Sequence, residues 1–486
     1  MAQASLFSSP GGRIRALAVT LLFLAGSQLF AQYDKILALG SDSARAPIGG
    51  PASAPLISTD LYDEADLRPV GILNDHLPKW IQFGLEERIR FEGYEGNGFK
   101  PGLANDESYM LNRFRWGMII RPVSWFKVVS QVQDARSFFQ PGTIGPPNTV
   151  RWDLKLAYAE FGDPESQPVT FRFGRQILDY NNTILSNSEW RDQARSFDAA
   201  VVNINVDRLH SSIFAASAVV PEVEGLTHHQ EGNNIYGLYN TVARVLPKSS
   251  IEPFVLWRVE PSVALDQTNV KAKKGRLNEQ AYGLRVIGRE LRNFDYRAEA
   301  IREAGSAGPN SIQAWATTFG AGYTLPNVLW KPRFFTGYDY ATGDKNPTAP
   351  VQGTFDTMYP TAHDRFGISD QFGWQNIEAV RGGVTVIPHP RWSFTGQYLD
   401  FWLATADDGI YNTSGTLIFR DTTGRSGTHI GDEVDFYTWY EINREVHVGA
   451  GIARLLPGEF IDKAGKGSSY TYPYFALELL DGKRVH

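Results

Sequence analysis

The sequence contains no cysteine, and its only sustained apolar run lies near the N-terminus. The lack of cysteine excludes disulfide frameworks, thiolate metal sites and cysteine nucleophiles. A bundle of membrane-spanning helices is excluded because each helix would need about 20 apolar residues. The net charge of −6 provides no basic excess, which argues against a nucleic-acid-binding protein. The fold must therefore be inferred from shorter patterns.

The apolar run has the three parts of a secretory signal. Arg13 and Arg15 precede the apolar stretch Ala16–Gly26, and a cleavage position follows Ala31. A retained membrane anchor is disfavoured because the run is shorter than the about 20 residues that cross a bilayer. We interpret residues 1–31 as a signal peptide. Residues 32–79, rich in Ala, Pro, Gly and Ser, are predicted to form an irregular periplasmic segment.

From Trp80 onward the apolar residues recur with a period of two, as in a strand with one dry face. Ile81, Phe83 and Leu85 define that face in the first segment. In a soluble β-sandwich such a face would form the core. One strand therefore cannot distinguish a sandwich from a membrane barrel, and the whole series of strands must be considered. The pattern predicts eighteen strands, at 80–91, 109–121, 125–136, 153–161, 169–176, 198–206, 209–220, 234–244, 250–260, 278–290, 294–304, 311–323, 332–342, 376–387, 391–403, 431–442, 445–455 and 470–480.

The predicted connections alternate strictly between short turns and long loops. Up-and-down transmembrane barrels have short periplasmic turns and long extracellular loops, whereas a soluble sandwich has no reason to alternate in this way. We therefore predict an all-β, 18-stranded antiparallel transmembrane β-barrel over residues 80–486, in the bacterial outer membrane. Backbone groups in lipid must all be paired, so the last strand must pair with the first. A barrel of this size is wide enough for an aqueous passage.

Strand parity predicts which charged residues face the barrel interior. The predicted pore-lining or substrate-path set is Arg88, Arg90, Arg113, Arg115, Lys127, Arg172, Arg285, Arg297, Arg381, Glu299, Asp339 and Asp435. Cations exceed anions in this set, and guanidinium groups form paired hydrogen bonds with carboxylates. The alternative is that these charges form ion pairs that brace a wet barrel wall. Aromatic residues near strand ends are predicted to form interfacial girdles: Trp80, Trp116, Trp125, Trp152, Tyr470 and Tyr474.

Several motifs resemble those of the bacterial alginate export family. They are Phe173–Gln176 with Trp190 and Arg195–Asp198, then Lys331–Arg333 with Gly337–Asp344, Thr354–Asp356, Tyr359, Pro360, His363, Gly367, Asp370 and Asn376, and finally Gly431–Asp435. The resemblance spans about Trp80 to the end of the chain. It implies an eighteen-stranded outer-membrane barrel with an arginine-lined pore, through which a uronate polymer leaves the periplasm.

The motif residues singled out for the loops are Gly174, Arg175, Gln176, Trp190, Phe197, Asp198, Gly343, Asp344, Phe355 and Asp356. Arg175 shares the parity of Phe171 and Phe173, which favours a role in holding a loop. Asp344, Asp356, Asp364 and Asp370 lie in the 343–375 loop, where calcium is an alternative to turn-forming aspartates because hard cations prefer carboxylate oxygens. No catalytic residue, metal site or cofactor is otherwise predicted.

Two features depart from the family pattern. Well-known alginate exporters have a long periplasmic turn before the penultimate strand, but here only Asn443 and Arg444 separate Ile442 from Glu445. The chain also ends in Asp481–His486 rather than in the terminal aromatic residue of many outer-membrane barrels. The first departure predicts that a periplasmic plug is absent.

Three functions follow as hypotheses. The first is passive export of an anionic polysaccharide such as alginate, and the second is a general porin for small anions or sugar acids. The third, a surface enzyme or adhesin, is disfavoured because the sequence has neither a Gly-x-Ser-x-Gly nor a His-Glu-x-x-His motif. The expected partners are the bilayer with its lipopolysaccharide, an anionic polysaccharide or small anionic solute, and periplasmic secretion-complex proteins, but no nucleic acid.

Overall fold

We analysed a computed structural model of the chain. It describes residues 71–99, 106–140, 148–164, 166–180, 184–223, 226–245, 248–264, 274–291, 293–346, 348–361, 363, 365–443, 445–465 and 467–481. The predicted signal peptide, most of the predicted irregular segment and the final five residues lie outside these ranges. Within them, no helix is both long enough and apolar enough to span a membrane.

Eighteen antiparallel strands form one closed barrel, as the sequence predicts. The barrel strands are β1 (Ile81–Tyr94), β2 (Glu107–Val123), β3 (Phe126–Phe138), β4 (Val150–Phe161), β5 (Val169–Gln176), β6 (Phe197–Val206), β7 (Leu209–Val220), β8 (His228–Ala243), β9 (Ser249–Ala264), β10 (Lys274–Leu291), β11 (Phe294–Ala307), β12 (Asn310–Thr324), β13 (Arg333–Ala341), β15 (Ile377–His389), β16 (Trp392–Leu403), β19 (His429–Glu441), β20 (Val446–Pro457) and β21 (Tyr470–Asp481). Strand β1 pairs with β2 on one side and with β21 on the other, which closes the ring.

Short elements occupy the segments outside the wall. They are the helices α1 (Gly71–Asn74) and α2 (Glu459–Ala464), a 3₁₀ turn (Asn97–Phe99), the two-residue strand β14 (Val351–Gln352) and a hairpin of β17 (Gly409–Tyr411) and β18 (Leu417–Arg420). Strand β14 pairs in parallel with β12. None of these elements was predicted, because each is too short to show a hydrophobic period.

The two faces of each strand have opposite character. On β2, Trp116 is 45% exposed while the adjacent Arg115 is 1% exposed. Apolar residues such as Phe171, Leu284 and Phe319 are likewise exposed on the outside of the wall. An outward face of this kind is stable against hydrocarbon, and it places the intervening polar residues inside the barrel.

The aromatic girdle prediction is wrong for two residues. Trp80, Trp116, Trp125 and Trp152 are between 45% and 57% exposed, whereas Tyr470 and Tyr474 are at most 6% exposed. The two tyrosines point inward on β21, where Tyr470 contacts Tyr94 and Tyr474 contacts Trp190. Their parity, rather than their position near a strand end, decides which way they face.

Connection lengths depart from strict alternation at one place. Strands β11 and β12 are joined only by Gly308 and Pro309 on the side of the long loops, while residues 325–332 join β12 to β13 on the opposite side. The connection between Glu441 and Val446 is short, and Ile442 N donates a hydrogen bond to Val446 O at 3.0 Å.

Two long connections fold into the barrel and form a core there. The β5–β6 loop (177–196) contributes Leu178 and Leu185, and the β13–β15 loop (342–376) contributes Phe355, Phe372 and Trp374 to a buried cluster. Inward-facing wall residues complete it, among them Phe214 and Phe254. Both loops are therefore packed elements of the interior, held by the burial of apolar surface.

Candidate functional site: the barrel interior

Four of the predicted pore-lining arginines lie together on two adjacent strands. Arg88 and Arg90 belong to β1, and Arg113 and Arg115 to β2; Arg88 is the register partner of Arg113. All four are between 1% and 3% exposed. We refer to them as the β1–β2 arginine cluster. Like charges at this separation require nearby carboxylates or water-filled space to be tolerated.

The β5–β6 loop covers this cluster and supplies part of its counter-charge. Arg88 donates hydrogen bonds to Glu189 O at 3.0 Å and to Asp192 Oδ1 at 2.8 Å. Glu189 Oε1 lies 2.8 Å from Arg113 Nη2 and 2.5 Å from Arg115 Nη1. The wall itself contributes Glu86 and Glu92, which pair with Arg113 and Arg90. Glu189 and Asp192 thus place two loop carboxylates on cations of the wall.

The predicted loop residue Trp190 lies within the same contact. Its ring is 4.1 Å from the Arg90 guanidinium carbon, and its carbonyl accepts hydrogen bonds from Arg88 and from Arg90. A guanidinium over an indole face is a favourable cation–π arrangement. Trp190 therefore adds an aromatic contact to the two ionic ones.

The ionisation of Glu189 is favoured by its surroundings. Burial by itself would raise the pKa of Glu189, but Arg113 and Arg115 outweigh burial and lower that pKa. The loop carboxylate is therefore anionic at neutral pH.

The two inward loops are also joined to each other. Ser186 N donates to Tyr359 O at 2.8 Å, and Arg195 Nη1 donates to the same carbonyl at 2.7 Å. The rings of Trp190 and His363 stack with their centroids 3.8 Å apart. A movement of the β5–β6 loop away from the arginines must therefore disturb the β13–β15 loop as well.

Lys127 and Arg172 form a separate pair on the neighbouring wall. Both contact Glu160, with Lys127 Nζ at 3.1 Å and Arg172 Nη2 at 2.6 Å. The Arg172 guanidinium also lies 4.8 Å from the Tyr158 ring centre. These contacts lie within the wall, which is the arrangement expected if the two cations brace adjacent strands.

A third group of predicted residues gathers on β10–β15. Arg285 lies 3.3 Å from Glu252, and the same register row continues through Glu299 to Asp339. Arg297 and Arg381 lie in the next inward-facing row. The sequence reasoning missed Arg365, a β13–β15 loop residue whose Nη1 lies 3.6 Å from Asp339 Oδ1.

Asp435 contacts the β13–β15 loop. Its Oδ2 accepts hydrogen bonds from Ile368 N at 3.1 Å and from Gln397 Nε2 at 2.8 Å. The neighbouring Glu433 accepts from Ser369 N and Oγ. Both carboxyl groups are fully buried, so they hold this loop against β19.

Gly174 and its neighbours join β5 to two loops. Gly174 has φ +118°, and an added Cβ would lie 2.2 Å from Ala157 O, so only glycine suits the position. Arg175 pairs with Asp198 at 2.8 Å and donates to Thr227 O at 3.0 Å, which fixes the start of β8. Gln176 donates to Ala199 O, and the buried Phe197 packs on Tyr359.

The motif residues of the β13–β15 loop have separate roles. Gly343 leaves no room for a Cβ beside the Asn376 amide, and Asp344 N donates to Asp408 Oδ2 at 2.8 Å. Phe355 packs on Trp374 in the buried core. Asp356 pairs with Arg258 of β9. The family motif thus contributes mainly to placing this loop inside the barrel.

The suggested calcium site stays a prediction. Asp344 accepts from Asn346 N, Asp356 pairs with Arg258, and Asp370 lies 3.0 Å from His363 Nδ1, while Asp364 lies outside the described residues. In the described part of the chain, side chains close enough to share a metal ion occur elsewhere, at Asp400, His429 and Asp432 on β16 and β19.

The loop partners of the arginines could not be inferred from strand parity. The long loops have no hydrophobic period, so the local sequence does not show which way their side chains point. This holds for the loop carboxylates Glu189 and Asp192 and for the loop arginines Arg195 and Arg365. A usable signal was the density of charge around Trp190 in an otherwise polar loop.

The solved structures that resemble this chain are outer-membrane porins of low sequence identity. Pseudomonas aeruginosa OccK11 (OpdR) has 11% identity and a TM-score of 0.52, covering 85% of this chain and 98% of its own. Acinetobacter baumannii OccAB2 has 10% identity and a TM-score of 0.56, covering 82% and 97%. P. aeruginosa OccD3 (OpdP) has 11% identity and a TM-score of 0.54, covering 88% and 99%. At such identities the likeness shows the fold alone.

Among curated proteins, no significant sequence match is found. The sequence model for alginate export, in contrast, matches residues 79–475, which is most of the chain and the whole of the barrel wall except its last few residues. This match confirms the resemblance of the motifs, and with the closed barrel it makes the protein an outer-membrane transport channel rather than an enzyme. The chain belongs to the alginate export family.

Proposed function

We propose that this channel passively exports an anionic polysaccharide such as alginate along an arginine-lined path. The observation that carries the proposal is the pairing of β1–β2 wall arginines with carboxylates of an inserted loop. Carboxylates of a uronate chain have the same charge and geometry as Glu189 and Asp192. They would therefore compete for the same guanidinium groups.

Loop displacement follows from this competition. When polymer carboxylates replace Glu189 and Asp192, the β5–β6 loop loses its ionic contacts with Arg88, Arg113 and Arg115. The guanidinium groups remain paired throughout, so the exchange leaves no buried charge uncompensated. A series of such exchangeable contacts lets a polymer advance, whereas one strong site would hold it in place.

A porin for small anions or sugar acids is the second candidate. It is favoured by the short connection between Glu441 and Val446, which offers no long turn to regulate access from the periplasm. It is also favoured by the packed interior loops, because a small solute needs less loop movement than a polymer.

Single-channel recordings in planar bilayers test the two candidates. A polysaccharide exporter should show current block by an oligouronate of several residues at concentrations where monomeric glucuronate has no effect. The Glu189→Gln, Asp192→Asn variant should be blocked at lower oligomer concentration, because its loop competes less well. Equal block by monomer and oligomer would favour the small-anion porin. A current that neither the oligouronate nor glucuronate blocks would contradict both the polysaccharide exporter and the small-anion porin.

A further inference from the structure

Two acidic residues face each other on the outer surface of the wall, near the extracellular ends of β16 and β19. Asp400 and Asp432 are register partners, and their side chains are 22% and 28% exposed. They share the outward parity of Tyr398 and Phe436, each of which is 49% exposed. Like charges directly opposite each other on one face of a sheet destabilise the pairing. These two carboxylates are therefore stabilised by a positive group placed between them.

A bulge in β19 brings a histidine to the same face. The register shifts by one residue before Trp402, so that His429 becomes the partner of Trp402. Ile430, which would otherwise continue the outward row, is 1% exposed. Gly431 permits this bulge, because its φ is +148° and an added Cβ would lie 2.2 Å from a backbone oxygen of β20. The bulge thus re-aims a side chain, as β-bulges commonly do.

The imidazole of His429 directs one nitrogen at both carboxylates. His429 Nε2 lies 3.0 Å from Asp400 Oδ1 and 4.0 Å from Asp432 Oδ2. The other ring nitrogen, Nδ1, lies against Gly458, where an added Cβ would be 2.6 Å from it. Tyr398 donates a hydrogen bond to Oδ1 of Asp432, while Oδ2 faces the imidazole. One nitrogen and two oxygens therefore converge on a common point.

The spacing of these three atoms suits a tetrahedral metal ion. Zn²⁺ binds histidine nitrogen and carboxylate oxygen at about 2.0–2.2 Å, so the ligand atoms of a tetrahedral site lie about 3.3–3.6 Å apart. The two measured distances, 3.0 and 4.0 Å, lie on either side of that range. Among the residues that the structure describes, this is the one set of three candidate metal-binding side chains whose ligand atoms all lie within 4.8 Å of one another.

We infer that Asp400, His429 and Asp432 form a binding site for Zn²⁺ on the outer rim of the barrel, with water as the fourth ligand. The mixed donor set favours Zn²⁺, because imidazole suits Zn²⁺ whereas Mg²⁺ and Ca²⁺ prefer oxygen ligands. The bound ion offsets the two facing carboxylates. This inference goes beyond the proposed function and is independent of the solute that the channel carries.

The metal would fix the base of the β16–β19 loop (404–428). Trp402 and His429 form the last register pair before this loop. The loop extends into the barrel, where Ile410 belongs to the buried interior cluster and Tyr411 is 3% exposed. A metal that joins β16 to β19 at this point therefore stabilises a loop that takes part in the interior packing.

Equilibrium dialysis of the full, tag-free barrel in detergent against Zn²⁺, with metal analysis by mass spectrometry, tests the site. Wild-type protein should bind one equivalent of Zn²⁺ and keep it in excess Mg²⁺. Residues that only orient a ligand change metal affinity about 10–100-fold, so Tyr398→Phe should weaken binding about tenfold. His429→Gln removes a ligand itself and should weaken binding at least about a hundredfold. Co²⁺ in place of Zn²⁺ should give the visible absorption of a four-coordinate site in wild type but not in His429→Gln.

A matched control is available in another histidine–carboxylate pair. His228 Nδ1 lies 3.0 Å from Glu222 Oε1, the same separation as in the site, but no third ligand lies within range among the described residues. His228→Gln should therefore leave Zn²⁺ binding unchanged. Heat-dependent migration in gels shows whether each variant is folded, and Asp400→Asn provides the test if His429→Gln is not.

The outcomes decide the inference without reference to polysaccharide export. Wild-type protein that binds no Zn²⁺, or that binds it no more tightly than folded His429→Gln or Asp400→Asn, would overturn the site. Displacement of Zn²⁺ by excess Mg²⁺ would overturn its assignment to Zn²⁺. One equivalent of Zn²⁺, lost in His429→Gln and retained in His228→Gln, supports the site. Block of the channel by oligouronates tests the proposed function separately.

Discussion

Neutralising the two loop carboxylates should release the β5–β6 loop from the wall. The Glu189→Gln, Asp192→Asn variant preserves the shape of both side chains but removes their negative charges. Arg88, Arg113 and Arg115 then lose these two carboxylates as ionic partners. Removing one member of a buried ion pair costs about 3–5 kcal/mol. The Glu189 side chain is 19% exposed, so the lower end of this range applies. The variant should therefore lower the stability of the closed loop position, relative to the open one, by about 3 kcal/mol.

A change of about 3 kcal/mol corresponds to roughly a hundredfold shift between closed and open loop populations. Single-channel recording should therefore show a large increase in open time or conductance. The matched control is Glu459→Gln, which removes an exposed carboxylate paired with Lys463 outside the barrel wall and should change nothing. A folded double variant with wild-type conductance and open time would refute the idea that these ion pairs hold the loop.

Three further predictions concern the wall, Gly174 of β5 and pH. Phe319→Arg places a charge in lipid and should lower the free energy of unfolding in vesicles by about 2–4 kcal/mol. The control Leu329→Arg, in a turn, should have little effect. Equal effects of the two variants would contradict the assignment of Phe319 to the lipid-facing side of β12. Gly174→Ala meets Ala157 O at φ +118° and should destabilise the barrel by at least about 1–3 kcal/mol, which an unchanged urea midpoint would disprove. Because the folded-state pKa of Glu189 lies below its usual value of 4.5, its contribution is complete above pH 4.5 and is lost as pH falls through the folded value. Conductance should therefore be constant from pH 7 to about 5 and rise only below the usual carboxyl range, and Glu189→Gln should abolish that rise.

The wall could be predicted from the sequence because lipid and water impose opposite requirements on alternate residues. Arg115 and Trp116 are adjacent in sequence and opposite in exposure, as a period of two requires. Strand ends were less predictable: β8 begins at His228 instead of 234, and β10 at Lys274 instead of 278. Beyond the bilayer the outward residues need not be apolar, so the alternation fades while pairing continues.

The interior could be predicted only in part. Parity indicates that Arg88 and Arg113 face inward, but not that Glu189 would lie against Arg113, because loop placement depends on contacts distant in sequence. Arg365 shows the same limit: it lies in a loop segment without a period, yet reaches Asp339 of β13.

The reversal potential of the purified channel across a potassium chloride gradient tests the central claim most directly. If inward-facing guanidinium groups define the path, chloride should carry most of the current, and neutralising Arg88, Arg113 and Arg115 should reduce that preference. A wild-type channel that prefers potassium would contradict an arginine-lined path for anions.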